Sequence, residues 1–313
     1  KRYLYIRNYM PHLGWNQPSA WPDQGEIRHE FYRLADREKM TDAQWQFAGP
    51  TRPHIELYDC ERDPNNLNNL ANSLEYKDVA LELAVASSAF LLETHDWGAV
   101  PETIAWGMSG KATLWAIAER AAEDRSHPTT ASFVAASAVS LGSEPLEGKN
   151  ARSNQPSVRY WSVIASGQPK VISEVSDRRL RSAQYDSSSA VRIAAADALA
   201  RHGEIEKALP TLIELVSNED LTTVLYAARA IELLGDDAKA AIPAMEKALA
   251  RAEKIRPPDT PATVVTSGDQ DLAMFIGFST RAFLSKVKQE EQKGAKGAEG
   301  DDGERGESDA DWI

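Results

Sequence analysis

A 33-residue period in the second half of the chain restricts its fold more than any other feature. Ser157-Val158-Arg159 recurs 33 residues on as Ala190-Val191-Arg192, and Ala208-Leu209-Pro210 recurs at the same interval as Ala241-Ile242-Pro243. Ala-rich runs at 194–199 and 227–231 keep nearly the same offset. Gly203 and Gly235 close the first helix of each unit, where a left-handed C-cap is expected. Each unit reads as two antiparallel helices with small residues at their crossing. Such a pair cannot bury its apolar face alone, so the period predicts stacked units, an α-solenoid.

The units resemble HEAT-type repeats, with Val-Arg opening the first helix and Leu209-Pro210-Thr211-Leu212-Ile213 opening the second. The resemblance spans residues 155–253. The unit around Gln155-Pro156-Ser157 departs from it, because Gly167-Gln168-Pro169 is expected to cut its first helix short. Residues 111–142 read as a further, degenerate helical pair, and residues 272–287 as a terminal capping helix. A helical repeat domain is therefore expected over residues 111–287. Beyond it the composition changes: Gly294, Gly297, Gly300, Gly303 and Gly306 keep a triplet spacing without proline, too little for a collagen helix. Residues 288–313 carry a net charge of −5 and are expected to form a disordered, Gly-rich acidic tail.

Residues 1–110 have a different character, with most of the aromatics and much of the proline. Tyr3-Leu4-Tyr5-Ile6-Arg7 alternates as a strand does, and Ile55-Glu56-Leu57-Tyr58-Asp59 reads as a second strand. Between them residues 27–40 have helical spacing, and Thr41-Asp42-Ala43-Gln44 has the residues of a capping box. Asp63-Pro64-Asn65-Asn66 is a turn by residue type, and a helix is expected from Lys77 to about His95. The fold class that results is α+β: a small antiparallel sheet with helices, then a short α-solenoid, then the tail.

Charge and cysteine count exclude several functions. With 47 Asp+Glu against 35 Lys+Arg the net charge is −12, which argues against a nucleic-acid or anionic-lipid partner. One cysteine, Cys60, excludes an internal disulfide framework and a Cys-rich zinc site. The longest apolar run, residues 79–92, is interrupted by Glu82 and is too short to span a bilayer. The six histidines show no ligand spacing. No initiator Met or leader opens the chain, and an opening inside a strand is read as the start of a C-terminal fragment.

Ile55-Glu56-Leu57-Tyr58-Asp59-Cys60-Glu61-Arg62-Asp63-Pro64-Asn65-Asn66-Leu67-Asn68-Asn69-Leu70-Ala71 resembles the signature near the C-terminus of type I, formylglycine-dependent sulfatases. The opening Lys1-Arg2-Tyr3-Leu4-Tyr5-Ile6 resembles the strand that precedes it there. The segment with Met10-Pro11-His12 and Ala43-Gln44 is similar to bacterial members close to heparan N-sulfatase. The resemblance covers residues 1–110 and implies a C-terminal subdomain packed on the enzyme's own N-terminal catalytic domain. That family hydrolyses sulfate esters or sulfamates of sulfated glycans with a formylglycine made from Cys in Cys-x-Pro-x-Arg, and with calcium. Here Cys60 is followed by Glu61-Arg62, so no catalytic residue is transferred, both cofactors are expected in the missing domain, and the chain alone is expected to be inactive.

Within the signature, Leu57 and Tyr58 are expected to fill a sheet face and Asn68 or Asn69 to cap the next helix. Arg7, His12, Arg28 and His29 are the candidate contacts to an anionic glycan, with Trp15 and Trp21 as a candidate stacking platform. The resemblance further implies a periplasmic or extracellular location. The alternative is a non-catalytic interaction module, with a protein partner on the repeat face.

Overall fold

Five aromatic or apolar-rich residues, Tyr3–Arg7 (β1), pair antiparallel with Ile55–Asp59 (β2), Tyr5 opposite Leu57 and Arg7 opposite Ile55. The computed structural model describes residues 2–17, 25–36, 39–109, 112–121, 128–140, 150–168, 172–260 and 268–298. It divides into two compact units: Lys1–Gln17 with Lys39–His202, and Pro18–Glu38 with Gly203–Ile313.

In the first unit, Leu57 and Tyr58 are 0 % and 2 % exposed. Successive strand residues point to opposite faces, so the two cover both sides of β2 rather than one as expected. Helix Asp42–Ala48 (α2) has the full capping box: Thr41 Oγ1 accepts from the Gln44 N–H at 3.3 Å, and Gln44 Oε1 accepts from the Thr41 N–H at 2.9 Å. After β2, Asn66 adopts φ +55° and donates to the Asp63 carbonyl, closing the expected turn. A 3₁₀ turn at Leu74–Tyr76 leads into Lys77–Glu93 (α3), which packs against β1 and buries none of its residues fully.

Asn69 does not cap that helix, whose N-cap, Tyr76, makes no side-chain bond. Its amide instead brackets β2, accepting from the Leu57 N–H at 3.0 Å and donating to the Ile55 carbonyl at 3.0 Å. Both groups belong to the strand's outer edge and would otherwise be unpaired, which is why an asparagine, whose amide both donates and accepts, serves there.

Glu102–Ser109 (α4), Leu114–Ala121 (α5), Pro128–Ser140 (α6), Pro156–Gly167 (α7), Glu174–Ala183 (α8) and Ser189–Arg201 (α9) complete this unit. Helix α5 packs on α4, whereas α6 packs on α7. Helix α7 runs 12 residues, against 13 in α9, so it is not cut short as expected. Gly167 ends it and lets α9 approach: a Cβ there would lie 2.6 Å from the Ala198 Cβ. The repeat arginines both clamp the stretch joining α8 to α9. Arg159 grips Asp186 with two 2.7 Å bonds, and Arg192 donates to the Gln184 carbonyl at 2.7 Å.

The second unit holds Glu26–Asp36 (α1), Ile205–Leu215 (α10), Leu221–Leu234 (α11), Ile242–Ile255 (α12) and Asp269–Ala298 (α13). Helix α1 ends at Asp36, short of Met40, and residues 39–40 are not helical. Helix α10 begins four residues before Leu209, so Pro210 lies inside it rather than at its start. Pro243 does stand in the first turn of α12, behind the 3₁₀ segment Gly235–Ala241. Asp220 caps α11 through the N–H groups of Thr222 and Thr223. Helix α13 lies against α11 and α12, with Ile231, Met245, Ile276 and Phe283 in the shared core.

Helix α13 also passes the boundary set by composition at Lys288. Residues 288–293 are Lys, Gln and Glu, good helix formers, and the glycines begin only at Gly294. The rest of the tail, residues 299–313, lies outside the described residues. No helix among the described residues is long and apolar enough to cross a membrane.

Candidate functional site

Polar chemistry in the first unit concentrates on the β2 strand and the loops beside it. Asp59, at the strand end, takes hydrogen bonds from Arg2 Nε at 2.9 Å and Nη2 at 2.5 Å. Those bonds hold its carboxyl below the usual carboxylate range. Glu56 is buried on the same strand: Oε1 accepts from Asn8 Nδ2 at 2.6 Å and Oε2 from the Tyr58 hydroxyl at 2.5 Å. The Tyr58 oxygen in turn accepts from Gln46 Nε2 at 3.2 Å. Burial, and the carboxylate it serves, push the Tyr58 hydroxyl well above its ordinary pKa of 10.0. The Gln46–Tyr58–Glu56–Asn8 chain is satisfied at each link, which fixes α2 and the β1 end onto β2.

Next to this chain two loops meet. The Arg52 N–H donates to the Pro11 carbonyl at 3.0 Å, and the Arg52 guanidinium lies over the Trp15 ring, 4.6 Å from its centroid. His12 sits between these positions in sequence. Burial, together with the positive charges of Arg201 and Arg52, pushes its imidazole from 6.5 down to about 4. It is therefore neutral at physiological pH.

The expected site residues are divided. Arg7 donates through Nε to Ser140 Oγ at 2.8 Å and through Nη2 to the Ser137 carbonyl at 2.9 Å, tying β1 to the end of α6. His12 shares that unit. Arg28 and His29 stand on α1 in the other unit, where Arg28 Nη2 donates to the Tyr32 hydroxyl at 3.0 Å and His29 is exposed. Trp15 carries Arg52 on one face, and Trp21 lies outside the described residues.

Arg52 and Arg201 were not legible as site residues. One is a lone cation in a proline-bracketed linker and the other a last-turn residue of a repeat helix, and only the tertiary fold gives both a common neighbour.

Cys60 does not stand in the formylglycine pattern, and the described residues gather no set of calcium ligands. Cys60 contacts Asn66 Oδ1 at 3.6 Å in a turn, followed by Glu61-Arg62. No three His, Cys, Asp or Glu side chains among the described residues converge as a metal site.

Comparison with known proteins gives two likenesses. A family profile described as HEAT repeats matches residues 176–256. The ulvan-active sulfatase of Formosa agariphila is 35% identical over 103 residues, which are 33% of this chain and 17% of that protein. The chain thus aligns with well under a fifth of its relative's length. No solved structure matches. The chain is sulfatase-like in part and carries HEAT-type repeats.

Proposed function

We propose that the chain is the non-catalytic C-terminal part of a sulfuric-ester or sulfamate hydrolase acting on sulfated glycans, with the repeats extending it. The observation that carries the reading is the β1–β2 ribbon with its Asp63 turn and Asn69 bracket, built from the residues that resemble the sulfatase signature. Identity to the ulvan-active sulfatase supports it.

A partner domain is implied by α3. Leu81, Val85 and Leu92, on one side of the helix, are 60 %, 60 % and 39 % exposed, and the helix has no buried residue. Apolar surface of this kind is what an interdomain interface covers, and the occupant assigned here is the catalytic domain, which would hold the calcium and the formylglycine. Export to the periplasm or the medium follows from the same reading. The repeats favour a second role, docking of a protein partner, because HEAT-type stacks present extended surfaces.

The test is sulfate release from 4-methylumbelliferyl sulfate and from a sulfated glycan by the 313-residue chain. No turnover is expected alone, and turnover is expected when the chain's aligned segment replaces its counterpart in the ulvan-active sulfatase. Robust turnover by the chain alone, or a folded but dead chimera, overturns the reading.

A further inference from the structure

We propose that His12, Arg52 and Arg201, beside Trp15, form a binding site for an oxyanion, either a sulfate ester or a carboxylate carried by an acidic sugar. The inference stands on the donors themselves and does not require the chain to belong to a hydrolase.

Geometry brings His12, Trp15 and Arg52 together, and the charge of Arg201 bears on the same imidazole. Gly14 and Gly49 approach so closely that a Cβ on Gly14 would fall 2.0 Å from the Gly49 carbonyl oxygen. With the bond from Arg52 to Pro11, this packs the 49–52 loop on the 11–15 loop and sets Arg52 on the Trp15 face. Other arginines of this unit find oxygen partners: Arg2 on Asp59, Arg7 on Ser137 and Ser140, Arg159 on Asp186. The Arg52 side chain has no hydrogen bond to any described residue, and its Nε is buried without a partner. His12 Nδ1 is likewise buried and unpartnered.

Nor do local acids supply the missing acceptors. Glu56, the carboxylate whose charge bears on Arg52, already accepts from Asn8 and Tyr58. Asp197 takes Arg201 Nε at 3.0 Å, while Arg201 Nη1 reaches only the Gly167 carbonyl, at 3.5 Å. Two guanidinium charges thus bear on one imidazole, and neither Arg52 Nε nor His12 Nδ1 has a partner. A buried guanidinium N–H left unpaired costs free energy, and an ionised oxygen is the acceptor that relieves it. A guanidinium lying over an indole face is held by the ring without using its N–H groups, which stay free to bond a ligand oxygen.

Calorimetric titration of the whole chain at constant ionic strength tests this with sodium sulfate, a sulfated monosaccharide, glucuronate and neutral glucose. Saturable binding of an anionic ligand and none of glucose is expected, weakened at least tenfold by Arg52→Gln and by Arg201→Gln, with part of the loss restored by Arg52→Lys. Binding confined to the sulfated sugar and sulfate, or confined to glucuronate, assigns the anionic group, and either supports the site. In the wild-type chain the His12 ring resonances should also titrate at higher pH in sulfate than in chloride, a readout that needs no variant. Absence of saturable binding, or an unmoved His12 titration, overturns the proposal and leaves the sulfate-release test of the preceding reading untouched.

Discussion

At the scale of single residues, His12 couples the fold to pH. Its imidazole titrates near 4 in the folded chain because burial and the charges of Arg201 and Arg52 oppose protonation, against 6.5 for an unperturbed histidine. The folded state therefore binds fewer protons than the unfolded one between those values, so stability rises with pH across the window. The penalty is absent above pH 6.5 and grows as pH falls to about 4, where it reaches at most about 3 kcal/mol. His12→Gln should flatten that slope: urea midpoints of variant and wild type should draw together at pH 4.5 relative to pH 7. An unchanged gap at both values would show that His12 is not held neutral. Asn69 teaches a complementary lesson. Residue type alone marks it as a helix cap, but besides a local bond from the Ala71 N–H its amide pairs with a strand 12 and 14 residues back, and only the folded chain brings Leu57 and Ile55 to it.

Among the helices, two glycines in neighbouring repeats do different work, and substitution separates them. Gly167 has ordinary helical geometry but no room, since an added Cβ would sit 2.6 Å from Ala198 Cβ on α9. Gly203, just past α9, has nothing within 4 Å of an added Cβ, yet its φ is +82°. Gly167→Val should cost about 1–3 kcal/mol through overpacking, while Gly203→Ala should cost about 1–2 kcal/mol through backbone strain alone. The distinguishing measurement is a double-mutant cycle, in which Gly167→Ala with Ala198→Gly should lose less in thermal unfolding than the sum of the two single variants, since the glycine introduced in α9 carries its own helix cost. No such compensation would place the role of Gly167 elsewhere. The 33-residue period makes the helix pairs legible because Val158, Val191 and their neighbours repeat a burial requirement, and a burial requirement leaves a pattern. Boundaries leave less trace. Pro210 and Pro243 occupy the same repeat position, but one stands inside a helix and the other in a first turn, because what precedes each is α-helical in one repeat and 3₁₀ in the next. The Arg52–Trp15 stack and the charges around His12 join residues with no common spacing, so no periodicity announces them.

For the molecule as a whole, α3 sets the behaviour of the isolated chain. Leu81, Val85 and Leu92 fall at i, i+4 and i+11, one side of the helix, and Phe90 adds a further exposed ring. Water is a poor solvent for such a surface at about 25 cal/mol per Å² of apolar area. The net charge of −12 opposes association only through screened, long-range repulsion. Two chains can then lower their free energy by covering α3 with α3, in the absence of the domain proposed to cover it. The isolated chain should accordingly show concentration-dependent self-association in light scattering, strengthened by added salt because screening removes the repulsion and leaves the apolar term. Leu81→Glu with Val85→Glu should restore a monomer. Since neither side chain is buried in the chain itself, the double variant should unfold within about 1 kcal/mol of the wild type. A substantial fall in its unfolding midpoint would mean that α3 is already packed within this chain. A wild type that stays monomeric at high concentration and salt would mean that the exposed stripe is not an interface, and the case for a covering catalytic domain would lose its structural support.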